Sequence, residues 1–321
     1  MYKLKTQPSD FVVTEHIPAC VNEGEYMLYI LQKENMNTLQ AIEILAKYLR
    51  IHKKHIGFCG IKDKHAITRQ YITIRSSKTI TPLSIDRLQL PFRLEFVQYC
   101  AKPLYVGALE RNSFHIRVRS AKEYTIIQKD EIINYFGEQR FSTQNDLVGE
   151  YLVKKDWKNA VDILCDDTIS SKYITQIQQY LHTHPNDFIG AIRLVPKNLL
   201  ELFTHAYQSR LWNTCAQIFT TKYPHKQTRI PIIGFDTELD EYSDAVQEII
   251  TDILSKEDLT LRSFIQKSIP ELTLAGASRK VFVKLLDKSF EDLGDEKILK
   301  FTLPKGSYAT VAVNQLLKKA Q

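Results

Sequence analysis

Gly60-Ile61-Lys62-Asp63-Lys64-His65-Ala66-Ile67-Thr68-Arg69-Gln70-Tyr71 holds Asp63, the one carboxylate between Glu43 and Asp86. Around it in sequence stand Lys47, Arg50, Lys53, Lys54, Lys62, Lys64, Arg69, Arg75 and Lys78, with His52, His55 and His65 beside them. Cations at that density suit a polyanion such as RNA, and a carboxylate among them weakens the attraction to phosphate that dominates affinity. Asp63 therefore has a structural or a chemical reason to be there. The structural reading is an ion pair with Lys62 or Lys64, or a turn after Gly60. The chemical reading is a carboxylate set among cations and aimed at something anionic that they draw in.

Working outward, Phe11 to Glu15 and Tyr26 to Leu31 are rich in β-branched and aromatic residues and predict strands, separated by Glu23-Gly24-Glu25. Leu39, Ile42, Leu45, Ala46 and Leu49 recur at helical spacing behind Asn37 or Thr38 as cap, with Lys47 and Arg50 at the favourable C-terminal end. Phe114, Ile116 and Val118 alternate with His115, Arg117 and Arg119, which predicts a half-buried strand with a basic outer face. Residues 121 to 135 read as helix. Residues 151 to 183 read as polar helix with a stripe of Trp157, Val161 and Leu164. Ile298 to Leu303 predicts a strand, followed by a Pro304-Lys305-Gly306-Ser307 turn and a helix carrying Val311, Val313, Leu316 and Leu317 that rejoins the first lobe.

The 321 residues are ample for two lobes with their own cores. Lys plus Arg number 43 against 37 Asp plus Glu, a surplus of +6 that fits nucleic acid without establishing it. From Asp236 to Asp258 nine acidic residues face the single Lys256, a surface that repels polyanions. Five scattered cysteines without a C-x-x-C pair indicate neither a disulfide framework nor a zinc knuckle and suit a reducing compartment. No apolar run is long enough for a signal peptide or a membrane span, so a cytoplasmic protein is expected.

There is no phosphate-binding glycine loop, no dinucleotide fingerprint, no H-E-x-x-H and no deaminase-type cysteine pair. His182 and His184 lie in a polar stretch and read as solvated residues, not ligands. Neither a nucleotide cofactor nor a metal is expected. Chemistry open to one carboxylate on RNA is cleavage of a glycosidic bond, where it can stabilise or attack the positive charge that builds at the anomeric carbon.

These residues carry a resemblance. The Gly60 to Tyr71 stretch closely resembles the central motif of the TruD pseudouridine synthases, with Asp63 aligned to the catalytic aspartate of that family. Lys5-Thr6-Gln7-Pro8-Ser9-Asp10-Phe11-Val12-Val13-Thr14-Glu15 resembles its opening motif and Asn134-Tyr135-Phe136-Gly137-Glu138-Gln139-Arg140-Phe141 its third. Arg111-Asn112-Ser113-Phe114, His205-Ala206-Tyr207-Gln208-Ser209 and Leu303-Pro304-Lys305-Gly306-Ser307-Tyr308-Ala309-Thr310 match further motifs in order. Ser142-Thr143 departs from the glycine common there, and the segment before the C-terminal motif is short.

The resemblance implies an α+β fold. A catalytic lobe of mixed, largely antiparallel sheet with flanking helices spans 1–150 and 297–321, interrupted by an inserted, mainly helical TRUD-type lobe over 151–296. It implies that a monomer, without cofactor, converts a uridine of tRNA to pseudouridine, at position 13 in the D arm. Asp63 then does the chemistry, Asn112 hydrogen-bonds near it, Phe114 stacks on the flipped base, and Lys5, Phe11 and Lys62 line the pocket. Tyr71 is a further pocket candidate. Read without the resemblance, Phe114, Phe11 and Tyr71 are core residues and Asn112 a turn residue. Lys53, Lys54, Lys64, Arg69, Arg117, Arg119 and Arg140 are the expected RNA contacts; Arg140 follows what reads as a helix-end glycine turn and equally suits lobe packing. Two other readings share the surface: a non-catalytic RNA-binding protein or tRNA-folding chaperone, and an RNA glycosylase that releases the base.

Overall fold

The computed structural model describes residues 2–77, 79–141, 144–166 and 171–320; Lys78 and Ser142-Thr143 of the sequence argument lie outside them. In chain order the elements are β1 (Phe11–His16), β2 (Tyr26–Glu34), α1 (Thr38–Leu49), β3 (Ile56–Phe58), β4 (Ile67–Arg75), α2 (Pro82–Asp86), β5 (Arg93–Cys100), β6 (Arg111–Val118), β7 (Tyr124–Ile126) and β8 (Glu131–Ile133). There follow α3 (Asn145–Lys154), α4 (Trp157–Leu164), α5 (Ser171–Thr183), α6 (Phe188–Ile192), α7 (Lys197–Lys222), β9 (Arg229–Ile232) and α8 (Asp244–Lys256). The chain ends with β10 (Ala277–Lys280), β11 (Phe282–Lys284), β12 (Leu286–Asp292), β13 (Lys297–Pro304), α9 (Ala309–Leu316) and β14 (Leu317–Lys319).

The chain forms two compact units, 1–132 with 283–321 and 133–282. The crossings fall before the expected 150 and 297. The first moves because α3 packs into the core of the second unit through Val148 and Leu152, and Gly149 lets the helices touch: a Cβ there would lie 2.0 Å from the carbonyl oxygen of Phe203 on α7. The second moves because Val283 and Leu285 already belong to the core of the first unit.

The sheet of the first unit runs β12-β13-β6-β1-β4-β2-β5, with β3 paired to β4. Only β1 and β4 are parallel, and β2 and α1 make the crossover that a parallel pair requires; the other pairings in this sheet are antiparallel. Strict alternation sends Phe11 and Val13 of β1, Ile116 and Val118 of β6, and Leu299, Phe301 and Leu303 of β13 to one face, under Ala312, Val313 and Leu316 of α9. Farther along the sheet, Met27, Tyr29 and Leu31 of β2 and Ile72 and Ile74 of β4 pack against Ala41, Ile42 and Leu45 of α1. Burying each such side chain contributes about 1.5–3 kcal/mol. The α1 helix starts where Asn37 accepts the Leu39 N–H and stops at Arg50, whose left-handed φ of 53° ends it. Cys20 and Cys100, distant in sequence, meet as free thiols with sulfurs 2.7 Å apart.

Residues 121 to 135 do not form the expected helix. Tyr124-Thr125-Ile126 is a β-branched and aromatic run, and the C-terminal β14 offers it an antiparallel partner, Lys319 against Tyr124 and Leu317 against Ile126. The third motif is likewise not a helix end: Gly137, at φ −82°, precedes a 3₁₀ turn over Glu138–Arg140. Asn213 holds the strand-like approach to it by accepting from the Phe136 N–H at 2.9 Å and donating to its carbonyl at 3.0 Å.

In the second unit α7 passes through two apolar cores. Leu200 and Phe203 pack with Val161 and Leu164 of α4, and Trp212 and Phe219 pack with Val246, Ile249, Ile250 and Ile253 of α8. The acidic stretch thus resolves into an amphipathic α8 that buries its apolar stripe. The polar 151 to 183 region gives the end of α3, α4 and α5, with residues 167–170 outside the described ones.

Candidate active site

Asp63 sits on the loop between β3 and β4, and that loop is pinned from below. Thr38, fully buried at the start of α1, accepts the Lys62 N–H at 3.0 Å and donates to Gln70 Oε1 at 2.9 Å; Gln70 Nε2 returns to the Gly60 carbonyl at 3.2 Å. Lys33, 1% exposed, donates from Nζ to the Met36 carbonyl at 2.7 Å and to the main-chain carbonyl of Asp63 at 3.0 Å. Beside these, the Lys62 ammonium is ion-paired with Glu15, which is buried and also accepts the Tyr71 N–H at 3.0 Å. The loop is therefore held through its backbone on both sides of Asp63, leaving the carboxylate partly exposed.

The Asp63 carboxylate faces Lys5, with Nζ 3.1 Å from Oδ1. Of the two expected structural partners, Lys62 binds Glu15 and Lys64 is exposed. Lys5 has a left-handed backbone, φ 55°, and its ammonium lies 4.3 Å from the centroid of the Phe11 ring. Phe11 meets Phe114 edge-on, 6.2 Å between centroids, and Phe114 meets Phe301 at 5.6 Å. Phe11 and Phe301 are buried, whereas Phe114 is half-buried and keeps surface available for a further ring. Two residues before it on the same face of β6, Asn112 has a buried Oδ1 that accepts no hydrogen bond from the protein. Leaving an acceptor so costs about 1–3 kcal/mol, and it pairs in register with Glu15 of β1.

Asp63, Lys5, Phe11 and Phe114 thus form one run of contacts, and Asn112 lies on the same sheet face, opposite the Glu15 that holds Lys62. Tyr71 does not join them. It gives its backbone N–H to Glu15, but Thr68, Gln70 and Ile72 take the face of the site, so alternation turns its ring to the other side with Arg69. Among the expected RNA contacts, Lys53 pairs with Glu43 at 3.1 Å and Arg69 with Glu95 at 3.3 Å, both near the surface where such pairs contribute little. Arg117 is paired with Glu296, and Arg119 grips Asp10 through two nitrogens and Glu296 at 2.6 Å. Burial raises the Asp10 carboxyl, but the Arg119 guanidinium and the Gln7 amides outweigh it and hold the group below its ordinary value. In the second unit Arg140 donates to Ser209 on α7 at 3.2 Å, so the third motif and the His205 to Ser209 motif meet there.

Lys33 and Glu15 are the residues that sequence reasoning passed over. The signal was present: Lys33 follows Tyr29 and Leu31, and Glu15 follows Phe11 and Val13, at the two-residue period of a buried face. Burial pushes the Lys33 ammonium down to about 8, with Asp63 opposing and Lys62 reinforcing the shift. Lys33→Met is expected to lower kcat about 10- to 100-fold by loosening the Asp63 backbone, since displacements near 1 Å cost about that much. Its stability at pH 7 should change little, because relief of a buried charge offsets two orphaned carbonyls. The pH dependence has a definite sign. With a folded pKa of about 8 against an ordinary value near 10.4, unfolded chains bind more protons in that window, so the wild type gains stability as pH rises through it. Unfolding free energies of the two proteins from pH 7 to 10.5 should diverge in favour of wild type by about 3 kcal/mol; parallel curves would mean that burial does not depress Lys33 and that it stays charged through this range.

A sequence profile of the family tRNA pseudouridine synthase D (TruD) matches residues 2–176, 170–229 and 219–316. "Probable tRNA pseudouridine synthase D" of Methanopyrus kandleri is 29% identical, covering 94% of this chain and 87% of that protein. "tRNA pseudouridine synthase D" of Aquifex aeolicus is 25% identical over 98% and 96% of the two chains. The TruD crystal structure from Methanosarcina mazei superposes with a TM-score of 0.76 at 22% identity, covering 98% of this chain and 93% of that one. The family match and the fold together define an enzyme acting on tRNA. The chain belongs to the TruD family of tRNA pseudouridine synthases. It is an isomerase that converts uridine in tRNA to pseudouridine.

Proposed function

We propose that the uridine is that at position 13, in the D arm of tRNA, and that Asp63 is the catalytic carboxylate. The role of Asp63 is carried by its contact with Lys5 and, through Phe11, with Phe114, on whose strand Asn112 has an unpartnered Oδ1; position 13 is carried by the resemblance to the family. The target uridine leaves its stack and lays its base on the open side of Phe114, which offsets part of the few kcal/mol that extrusion costs. Asn112 accepts a hydrogen bond from the flipped nucleotide. Asp63 engages the ribose while the bond from N1 to the anomeric carbon breaks; the uracil turns and bonds through C5. N1 gains a proton and C5 loses one, so the product has the formula of the substrate and no electrons are exchanged. Lys5 holds the carboxylate in place, and the pinned loop supplies its orientation without reorganisation at the moment of reaction.

Phosphates are met by Lys53, Lys54 and Lys64, with Arg69 and Arg140 as further contacts, while Arg117 and Arg119 serve the Asp10 and Glu296 network first. The enzyme acts as a monomer in the cytoplasm and needs no nucleotide cofactor. Among the described residues no helix is long and apolar enough to cross a membrane. The test is conversion of total tRNA from a strain lacking this activity, with the modified nucleotide mapped. Pseudouridine at position 13 supports the reading. Pseudouridine elsewhere overturns the site, and tight tRNA binding without conversion favours a tRNA-folding chaperone.

A further inference from the structure

Outside the pocket, apolar side chains stand in solvent where the chain could have placed polar ones. Tyr105 is 71% exposed, Val106 72% and Ile61 63%. Tyr105 and Val106 occupy the tip of a tight turn: the Ala108 N–H donates to the Tyr105 carbonyl at 3.0 Å, and Gly107 supplies the left-handed φ of 94° that such a turn needs in its third position. The turn is anchored against the elements that carry Asp63. The Gly107 N–H donates to the Cys59 carbonyl at 2.8 Å, the Leu104 N–H to Thr73 Oγ1 of β4 at 2.9 Å, and Lys305 Nζ to the Gly107 carbonyl at 3.1 Å. Gly57 of β3 is pressed against the same turn, where a Cβ would lie 2.4 Å from the Leu104 carbonyl oxygen. Ile61 follows Cys59 by two residues and precedes Asp63 by two, a separation of at most about 7 Å along the chain.

A rigid loop that displays an aromatic ring and two aliphatic side chains beside a catalytic loop marks a contact surface. We propose that Tyr105, with Ile61 and Val106, is a stacking platform for an unpaired nucleobase next to the target uridine of the tRNA. The proposal rests on the reaction taking place at Asp63. When the uridine leaves its stack, each flanking base loses a neighbour. An exposed tyrosine face replaces that neighbour for any base, because every base has a π-face. Continuity with the Asp63 loop is what selects RNA over another occupant: a substrate strand that delivers a nucleotide to Asp63 must carry its neighbours past Ile61.

The test couples protein and RNA changes. Wild type, Tyr105→Ala, Tyr105→Phe and Tyr105→Leu are compared on a tRNA transcript and on two transcripts with an abasic nucleotide 5′ or 3′ to the target uridine. Tyr105→Ala should raise Kd for the intact transcript by roughly five- to 150-fold, Phe should restore it and Leu should not. One abasic transcript should bind the wild type more weakly by a similar factor and show no further loss with Tyr105→Ala. Unchanged binding by Tyr105→Ala overturns the proposal, as do losses that multiply with both abasic transcripts. So does a wild-type dimer in sedimentation that Tyr105→Ala dissolves, which gives the patch to a second copy. Thermal unfolding of each variant separates misfolding from lost contact. If the wild type forms no pseudouridine on the intact transcript, the reaction at Asp63 has failed; if it does and Tyr105→Ala binds normally, only the platform has.

Discussion

Asp63→Asn is expected to lower kcat for pseudouridine formation by about 10⁴-fold or more, the scale seen when a nucleophile or its equivalent is removed, while tRNA affinity stays within about threefold. The substitution keeps the shape of the side chain and replaces one oxygen by a nitrogen. The hydrogen bond from Lys33 goes to the main-chain carbonyl, so the loop keeps its anchor, and the Thr38 and Gln70 contacts do not involve the side chain at all. What is lost is the charge that faces Lys5 and the developing positive charge of the ribose. Removing an anion from a cationic stretch can only favour phosphate, so affinity holds or rises slightly. Single-turnover conversion and a binding isotherm on the same tRNA check both halves. Activity within about tenfold of wild type would mean the carboxylate positions the ribose and does no bond chemistry. Lost binding together with lost activity would mean Asp63 holds the fold.

The sequence told most about the first unit where periodicity and ends agreed. In β1, β2 and β13 an alternating run is bounded by turn residues, and in α1 a capping Asn precedes a spaced apolar stripe. Residues 121 to 135 failed that way because a β-branched run with polar interruptions satisfies both periods, and its partner strand lies almost two hundred residues away at β14. Asp63, Lys5, Phe11, Asn112 and Phe114 were legible as motif residues; the structure puts the first three and Phe114 in one run of contacts, with Asn112 two residues before Phe114 on its strand. Tyr71 was misplaced by proximity in sequence: on a strand, adjacent residues point to opposite faces, and Gln70 already takes the face of the site. Arg117 and Arg119 alternate as a basic face should, yet their partners Asp10 and Glu296 come from distant segments and left no trace in the local pattern. Lys33 and Glu15 were visible as charges in the apolar phase of their strands, a signal that means buried function or buried pairing and reveals neither until the partner is seen.

That pairing sets the second large effect. Lys62→Met is expected to destabilise the protein by about 3–5 kcal/mol, the usual result of leaving one member of a buried ion pair alone. In Tm this is a fall of about 10 °C. Glu15 has no exposed side-chain surface, and without the ammonium it keeps the Tyr71 N–H and the Cys59 thiol as neutral donors, so water cannot replace the charge without opening β1 from β4. Adding Glu15→Gln should recover at least about half of the loss, because the amide removes the unpaired charge and still accepts from Tyr71. The single Glu15→Gln should be milder than Lys62→Met, since the long Lys62 side chain can turn toward solvent. Activity should follow stability only in part. Even where Lys62→Met is folded at low temperature, the backbone immediately before Asp63 has lost its side-chain anchor, and kcat should fall while tRNA affinity changes little. The four proteins of this cycle, measured by thermal unfolding and by single-turnover conversion, decide it. A Lys62→Met protein with the wild-type Tm would show that Glu15 reaches solvent, and a double variant no better than the single one would show that the lysine stem, through packing, stabilises the loop in place of its charge.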